Sequence, residues 1–299
     1  MLTIEKYAAI DIGSNAVRLL ISSVHEEEGK ETRFKKTSLV RVPIRLGADV
    51  FLTKKVSEDN IVRMLDAMQS YQLLMKTHKV VRYKACATSA MREAENGTEL
   101  VSLIKEKTGL QIDIIDGTDE AAIIAMTDLK ELINSDATYL YVDVGGGSTE
   151  FTLYHNGNTI ISKSFKLGTV RLLNDLVTND VWKEVEVWIR QHTKGYTRIS
   201  LIGSGGNINN IFKNSGKRIG KPLSYLYLSS YYKLLSSLTY EERIWELNLN
   251  QDRADVILPA TRIYLSAMKW SAARQIYVPK IGLSDGIIKS LYNEKLNIK

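Results

Sequence analysis

Two stretches of the chain, 132 residues apart (143 − 11), carry one pattern, and that repetition constrains the fold more than any other feature. The first is Tyr7-Ala-Ala-Ile-Asp11-Ile-Gly13-Ser14-Asn15; the second is Tyr139-Leu-Tyr-Val-Asp143-Val-Gly145-Gly-Gly-Ser148. Each is an apolar strand with an aspartate inside, a glycine turn, a small hydroxyl residue and a second apolar strand. About one domain length separates them, so the pattern predicts a duplicated domain with one strand-turn-strand hairpin in each half. The two Asp-Gly turns are expected to face each other across a cleft. A carboxylate inside a buried strand needs a partner, because an unpaired buried charge is expensive. Glycine turns expose backbone N–H groups to phosphate, and an aspartate beside them can hold the metal that neutralises it. Asp-x-Gly is common in β-hairpins, so the repetition carries more information than either turn.

At 299 residues the chain is long enough for two domains. Hydrophobic content of 44% and charged content of 25% are those of a soluble globular protein. No apolar run approaches the roughly 20 residues that span a bilayer, so no membrane is expected. The start, MLTIEKYAAIDIG, lacks a basic region followed by an apolar one, and no signal peptide is read. The single cysteine, Cys86, excludes an internal disulfide and fits a cytoplasmic location. It ends an apolar stretch and reads as a small core residue rather than a nucleophile. His25, His78, His155 and His192 have no zinc-ligand spacing. Residues 1–150 hold 19 Lys+Arg and 23 Asp+Glu, a net of −4; residues 151–299 hold 21 and 11, a net of +10. A basic second half suits an anion, although a solvated basic surface gives the same asymmetry. The basic residues are not interleaved with aromatics, so DNA is not an expected partner. A homodimer is compatible with the sequence.

Periodicity predicts strands at 7–12 and 17–24 joined by Gly13, Ser14 and Asn15. A long helix opens on Ser57 as N-cap, with Ile61, Leu65 and Met68 at helical spacing. "VVRYKACAT" is a strand; "GTELVSLIKEKTGL" is a helix with Thr98 as N-cap and Gly109 as its stop. "QIDIID" is a strand, and Thr118 caps a helix running to about Ile133. Strands follow at 138–144 and 150–154, an extended stretch near 158–166, a helix near 180–192 and the strand "RISLIGSGG". The tail from 224 onward reads as mainly helical. "LIGSGGNINNIF" is a strand, a glycine loop and a helix beginning near Asn207, a geometry that suits an anion or simply a tight packing turn.

The segments "AIDIGSNAVRLLI" (9–21), "ATSAMREAENG" (87–97), "IIDGTDEA" (114–121), "VDVGGGSTEF" (142–151), "FKLGTVRL" (165–172), "GSGGN" (203–207), "RADVI" (253–257) and "GLSDGI" (282–287) fall in one order. Together they resemble the exopolyphosphatase / guanosine pentaphosphate phosphohydrolase family over nearly the whole chain, in its short, two-domain form. The resemblance implies an α/β fold with two ribonuclease-H-like, actin- and sugar-kinase-like domains flanking an interdomain cleft. Residues 1–122 would form the N-terminal actin-like domain and 123–299 the C-terminal one. It further implies hydrolysis of a phosphoanhydride at the end of polyphosphate or of guanosine pentaphosphate, with Mg2+.

Carried onto this sequence, the resemblance makes Glu120 of "GTDEA" the base that activates water. The same residue could merely complement a helix N-terminus. The family's preceding glutamate is Asp119 here, one methylene shorter with the charge kept. Asp143 and Glu150 would be the metal carboxylates, with Asp11 a weaker third that could instead orient water or stabilise its turn. Gly145, Gly146, Gly147 and Ser148 would donate to phosphate oxygens. Ser14, Asn15, Arg18, Ser89 and Arg92 are the first domain's phosphate contacts, Arg92 foremost because a planar guanidinium binds phosphate in bidentate fashion. Arg18 could also face solvent or pair with an acid. Gly205, Gly206 and Asn207 serve the second domain, with Arg171 behind them. Arg253 with Asp255 reads as a structural ion pair. Release of terminal phosphate from short polyphosphate is the leading reading. The alternatives are a guanosine pentaphosphate 5'-phosphohydrolase, a non-catalytic alarmone or nucleotide sensor, and a kinase of the same superfamily.

Overall fold

The computed structural model describes residues 1–127 and 137–298. It divides into two compact units, Met1–Thr127 with Leu283–Lys299, and Asp128–Gly282. The division falls at Thr127 rather than at 122, and the last stretch of chain returns to the first unit.

In the first unit, β1 (Leu2–Ile12) pairs antiparallel with β2 (Val17–Glu27), and β2 with β3 (Arg33–Val42). On its other side β1 runs parallel to β4 (Arg82–Ala87), which runs parallel to β5 (Asp113–Ile114). The order is β3-β2-β1-β4-β5. The second unit repeats the plan. There β6 (Thr138–Val144) pairs antiparallel with β7 (Thr149–His155), β7 with β8 (Asn158–Phe165), and β6 runs parallel to β9 (Ile199–Ser204). The sheet reads β8-β7-β6-β9-β11-β10, with β11 (Gln275–Tyr277) and β10 (Leu223–Ser224) beyond β9. The duplication inferred from two aspartates is therefore a duplication of sheet topology.

Each central strand is what its sequence requires. Tyr7 to Ile12 and Leu140 with Val142 are buried without a break, as strands covered on both faces must be. Strand β3 escaped prediction because it is an edge strand of exposed and half-buried residues, four of them Lys or Arg, with no buried apolar run. Cys86 sits buried at the end of β4, and burial pushes its thiol up to about 12, which leaves it an inert core residue.

Helices attach by local chemistry. Helix α2 (Glu58–Thr77) is capped by Ser57 as expected, the Ser57 side chain accepting from the Asn60 N–H. Two caps differ from expectation. Helix α4 (Gly97–Thr108) begins at Gly97, not after Thr98, and the Asn96 side chain at the cap position does not cap it. The Asn96 side chain instead bonds both the N–H and the carbonyl of Val56. Helix α5 (Gly117–Ala125) is capped by Asp116 rather than Thr118: the Asp116 carboxylate accepts from the N–H groups of Thr118 and Asp119. The expected continuation of this helix to Ile133 falls on 128–136, outside the described residues. Beyond Ser224 the chain is mainly helical as expected, with the short strand β11 between α12 (Ile257–Trp270) and α13 (Leu283–Ile298).

Helix α13 joins the first unit for identifiable reasons. A Cβ on Gly286 would lie 2.2 Å from the Ile123 carbonyl oxygen, so this helix lies directly on α5. Further along, the buried Lys295 ammonium donates to Glu26 at 2.5 Å and to Glu5 at 2.8 Å, bridging β2 and β1. The Lys295 hydrogen bond holds the Glu5 carboxyl below its ordinary 4.5, against the opposing effect of burial. A depressed carboxyl contributes stability above its unfolded pKa and loses it as the pH falls through its folded value. Lys295→Met is accordingly expected to lower stability at neutral pH by on the order of 1–3 kcal/mol. Melting curves from pH 7 to pH 3 should show its deficit against wild type narrowing below the ordinary carboxylate pKa. A deficit constant across that range would mean that Lys295 acts through packing alone.

Candidate active site

Each unit presents the end of its β-hairpin, and the two ends are built alike. In the first unit the turn closes through Gly13 N–H donating to the Ala16 carbonyl at 3.1 Å; in the second, Gly145 N–H donates to the Ser148 carbonyl at 3.0 Å. A following segment then takes the carbonyls of each turn. Arg45 N–H donates to Asn15 O and Gly47 N–H to Ser14 O, at the start of α1 (Leu46–Thr53). Thr169 N–H donates to Gly145 O and Val170 N–H to Gly146 O, at the start of α6 (Thr169–Leu173). The segments themselves match, Arg45-Leu46-Gly47 against Lys166-Leu167-Gly168, with both leucines fully buried. This second repeat was legible in the sequence and went unread, because a Leu-Gly pair is unremarkable without the turn it packs against.

The second unit shows how close that packing is. A Cβ on Gly168 would lie 2.2 Å from Gly146 O and 2.4 Å from the Gly147 carbonyl carbon. The Thr149 hydroxyl donates to the Leu167 carbonyl, and the buried Arg171 donates through Nε to Gly147 O at 2.7 Å. With the carbonyls so held, the N–H groups of Gly146 and Gly147 lie outside the backbone hydrogen bonding found among the described residues. Such a turn offers oriented donors to an anion.

The difference between the units lies in the residues flanking the turns. Asp11 faces Arg18 across β1–β2, and Asp143 faces Glu150 across β6–β7; the spacing is seven residues in both (18 − 11 and 150 − 143). Directly opposed residues of an antiparallel pair project to the same side of the sheet. In the first unit the pair is an ion pair, Arg18 Nη1 to Asp11 Oδ2 at 2.8 Å, with the Asp11 side chain 5% exposed. Asp11, expected as a weaker third metal carboxylate, is held by the Arg18 guanidinium. In the second unit two carboxylates are opposed, an arrangement that is destabilising without a cation or strong donors. Glu150 has such donors: Ser148 Oγ at 2.6 Å and Ser164 Oγ at 2.8 Å both donate to its Oε1. The Ser148 hydroxyl, expected on phosphate, serves Glu150.

The other expected contacts fall around these turns. Ser14 Oγ and Ser89 Oγ are buried and share a hydrogen bond of 2.9 Å. Arg92 donates through Nη1 to Ile115 O at 2.5 Å, so it fixes the connection from β5 to Asp116 and hence the start of α5. Glu120 lies in the first turn of α5 and is 9% exposed. Beside the second turn, Gly205 adopts φ 109°, which an L side chain rarely reaches. A Cβ there would lie 2.9 Å from Val144 O and 3.4 Å from Asp143 Oδ1, so the GSGG loop runs against the Asp143 carboxylate. The Tyr264 hydroxyl of α12 donates to the Ser204 carbonyl in that loop. Burial, with the Asp143 charge next, keeps the Tyr264 hydroxyl far above the ordinary tyrosine range, so it remains a donor. Helix α8 (Gly206–Asn214) follows, and Arg253 Nη1 donates to Asn207 Oδ1 at 2.9 Å, its guanidinium 2.8 Å from where a Gly206 Cβ would stand. Arg253 therefore attends the glycine loop.

Residues 24–295 match the Ppx/GppA phosphatase family. The chain belongs to that family. Among Ppx/GppA relatives, the bifunctional 3-dehydroquinate synthase/phosphatase of Fusobacterium nucleatum is 32% identical over 220 residues, 67% of this chain and 32% of that protein. Exopolyphosphatase 2 of Mycobacterium tuberculosis is 29% identical over 184 residues, 60% of this chain and 57% of that protein. The guanosine-5'-triphosphate,3'-diphosphate pyrophosphatase of Photobacterium profundum is 30% identical over 167 residues, 56% of this chain and 32% of that protein. The chain thus spans from about a third to somewhat over half the length of these relatives. A crystal structure of the Aquifex aeolicus Ppx/GppA member superposes with a TM-score of 0.76 at 25% identity, covering 98% of this chain and 99% of that one. The duplicated sheets are those of the actin-like, ribonuclease-H-like Ppx/GppA fold. No described helix is long and apolar enough to cross a membrane.

Proposed function

We propose that this Ppx/GppA chain is a hydrolase that releases terminal phosphate from inorganic polyphosphate, with Glu120 as the base for the attacking water. One observation carries the reading: equivalent hairpin positions hold Asp11 with Arg18 in one unit and Asp143 with Glu150 in the other. A neutral ion pair is a self-sufficient structural device. Two opposed carboxylates beside a glycine turn and a glycine loop suit a cation accompanied by phosphate. Magnesium suits that donor set, since it is commonly held by one or two carboxylates and completes its shell with phosphate oxygens and water. Asp143 and Glu150 are the residues that would hold it, and bound there it would offset charge on the phosphate.

The chain's own groups have distinct tasks. Gly146 and Gly147 N–H donors, with the GSGG loop and the start of α8, orient phosphate oxygens. Arg171 and the Leu167–Thr169 segment hold the first of these turns in shape. Glu120 takes a proton from water as its oxygen bonds to the terminal phosphorus, while the anhydride P–O bond breaks and its electron pair stays on the shortened chain. Glu120 belongs to the first unit and the carboxylate pair to the second.

A second reading, hydrolysis of guanosine pentaphosphate, is favoured by the Photobacterium profundum relative, whose name specifies that class of substrate. Both substrates present the same bond. Phosphate release measured side by side on polyphosphates of graded length, guanosine pentaphosphate and ATP, with magnesium, separates them. Short polyphosphates are expected to give the largest kcat/KM. Turnover of guanosine pentaphosphate above every polyphosphate would replace the first reading with the second, and turnover of none would end both.

A further inference from the structure

The connection from α8 to β10 is the most densely basic short stretch of the second unit, Ser215-Gly-Lys217-Arg218-Ile-Gly-Lys221-Pro222. We propose that it forms a separate anion site that takes a short, multiply charged phosphate such as pyrophosphate or tripolyphosphate. Lys217, Arg218 and Lys221 line a cavity of about 320 Å³ together with Pro222, Ser224 and Gln275. All three cations are exposed, and among the described residues none forms an ion pair with an acid. Like charges set this close repel one another, and an anion held between them relieves that repulsion. Here three positive charges within five residues converge on one hollow with no acidic group in its lining.

The loop is shaped as well as charged. Lys217 Nζ donates to the Pro222 carbonyl at 2.7 Å, which fixes the ammonium across the loop and leaves it two further protons to donate. Lys217 N–H donates to Ser215 Oγ and Lys221 N–H to the Arg218 carbonyl, closing the turn that carries the cations. Ser224 and Gln275 are directly opposed across β10–β11, so both neutral side chains project to the same side. Ser224 Oγ accepts from Tyr227 N–H and keeps its own proton for a ligand.

Size and lining select the ligand. The hollow, of about 320 Å³ and open to solvent, has room for a few linked phosphate groups. No aromatic ring lines the cavity, so there is no platform on which a nucleobase would stack. Bare oligophosphate fits this chemistry better than the tail of a nucleotide. The site is also distinct from the glycine loop. Helix α8 separates them, and its nine residues from Gly206 to Asn214 span about 13 Å. The inference stands on the second unit alone and does not depend on the proposed hydrolysis.

Lysine acetylation followed by mass spectrometry tests it on the intact chain, in EDTA so that magnesium-dependent turnover is silent. Sodium pyrophosphate and sodium chloride are compared at equal ionic strength. Lys217 and Lys221 should be acetylated roughly tenfold more slowly at ten times the pyrophosphate dissociation constant. Exposed Lys194 and Lys233, outside the cavity, should react unchanged. Arg218→Gln leaves both reporter lysines in place and should weaken their protection. Several results would overturn the proposal: equal slowing of all four lysines, protection indifferent to Arg218→Gln, or ATP protecting better than tripolyphosphate. Protection by phosphatidylserine vesicles but not by pyrophosphate would assign the cluster to a membrane surface instead.

Discussion

Glu120→Gln is expected to lower kcat for phosphate release by about 10²–10⁴-fold, the usual consequence of losing a general base, while KM changes little. The amide keeps the shape of the carboxylate and its ability to hydrogen-bond, but it cannot accept the water proton. The competing account gives Glu120 only an electrostatic role at the start of α5. That role already has an owner, since Asp116 accepts from the N–H groups of Thr118 and Asp119 at 2.7 and 2.9 Å. Those two bonds also hold the Asp116 carboxyl below its ordinary 3.8. Asp116→Ala should therefore lower the melting temperature and spare much of the turnover, and Glu120→Gln should do the reverse. A Glu120→Gln protein that melts early yet turns over near the wild-type rate would remove Glu120 from the chemistry.

Gly168→Ala is expected to be severe for a different reason. The added methyl would stand 2.2 Å from Gly146 O and 2.4 and 2.5 Å from the Gly147 and Gly146 carbonyl carbons, all of them backbone atoms. A flexible side chain could swing away; a turn held by Thr169, Val170 and Arg171 cannot do so without losing those bonds. Overpacking of this kind costs roughly 1–3 kcal/mol, occasionally more. It should disable the turn before it unfolds the unit, so activity should fall by a larger factor than stability alone explains. Activity and melting temperature measured together on Gly168→Ala and on Gly157→Ala provide the contrast. Gly157 has no atom within 4 Å of its Cβ position, though its φ of 77° makes alanine strained there, so it reports backbone strain remote from the turn. Equal loss of activity in both would mean that the Gly168 contact has no special bearing on the site.

The repeated hairpin was legible because its signal is local: an aspartate within an apolar run, followed by glycine, can be read from neighbouring residues. The extents of β6 and α7 (Asn179–Thr193) were legible for the same reason, the one from a buried run and the other from its helical period. The commitments of individual side chains were not. Ser148 binds Glu150, Arg92 binds Ile115 O and Arg253 binds Asn207, and two of these three partners lie 23 and 46 residues away in sequence. An arginine reads the same in sequence whether it meets phosphate or a carbonyl. The return of α13 to the first unit was hidden likewise, since Gly286 meets Ile123 across 163 positions (286 − 123) and Lys295 meets Glu5 and Glu26 near the other end of the chain. Besides its longer glycine turn, the sequence distinguished Asp143 by Glu150 seven residues on, where Asp11 has Arg18. That difference separates an ion pair from the cation site proposed above.

The most direct measurement is phosphate release from short polyphosphate as magnesium is titrated, for wild type and Asp143→Asn. Wild type is expected to release orthophosphate in a saturable, magnesium-dependent manner. Asp143→Asn removes one of two opposed carboxylates and should raise the half-saturating magnesium concentration by roughly 10–100-fold. An Asp143→Asn protein with the wild-type magnesium dependence, or a wild type that releases no phosphate at any magnesium concentration, would contradict the assignment of this turn as the catalytic cation site.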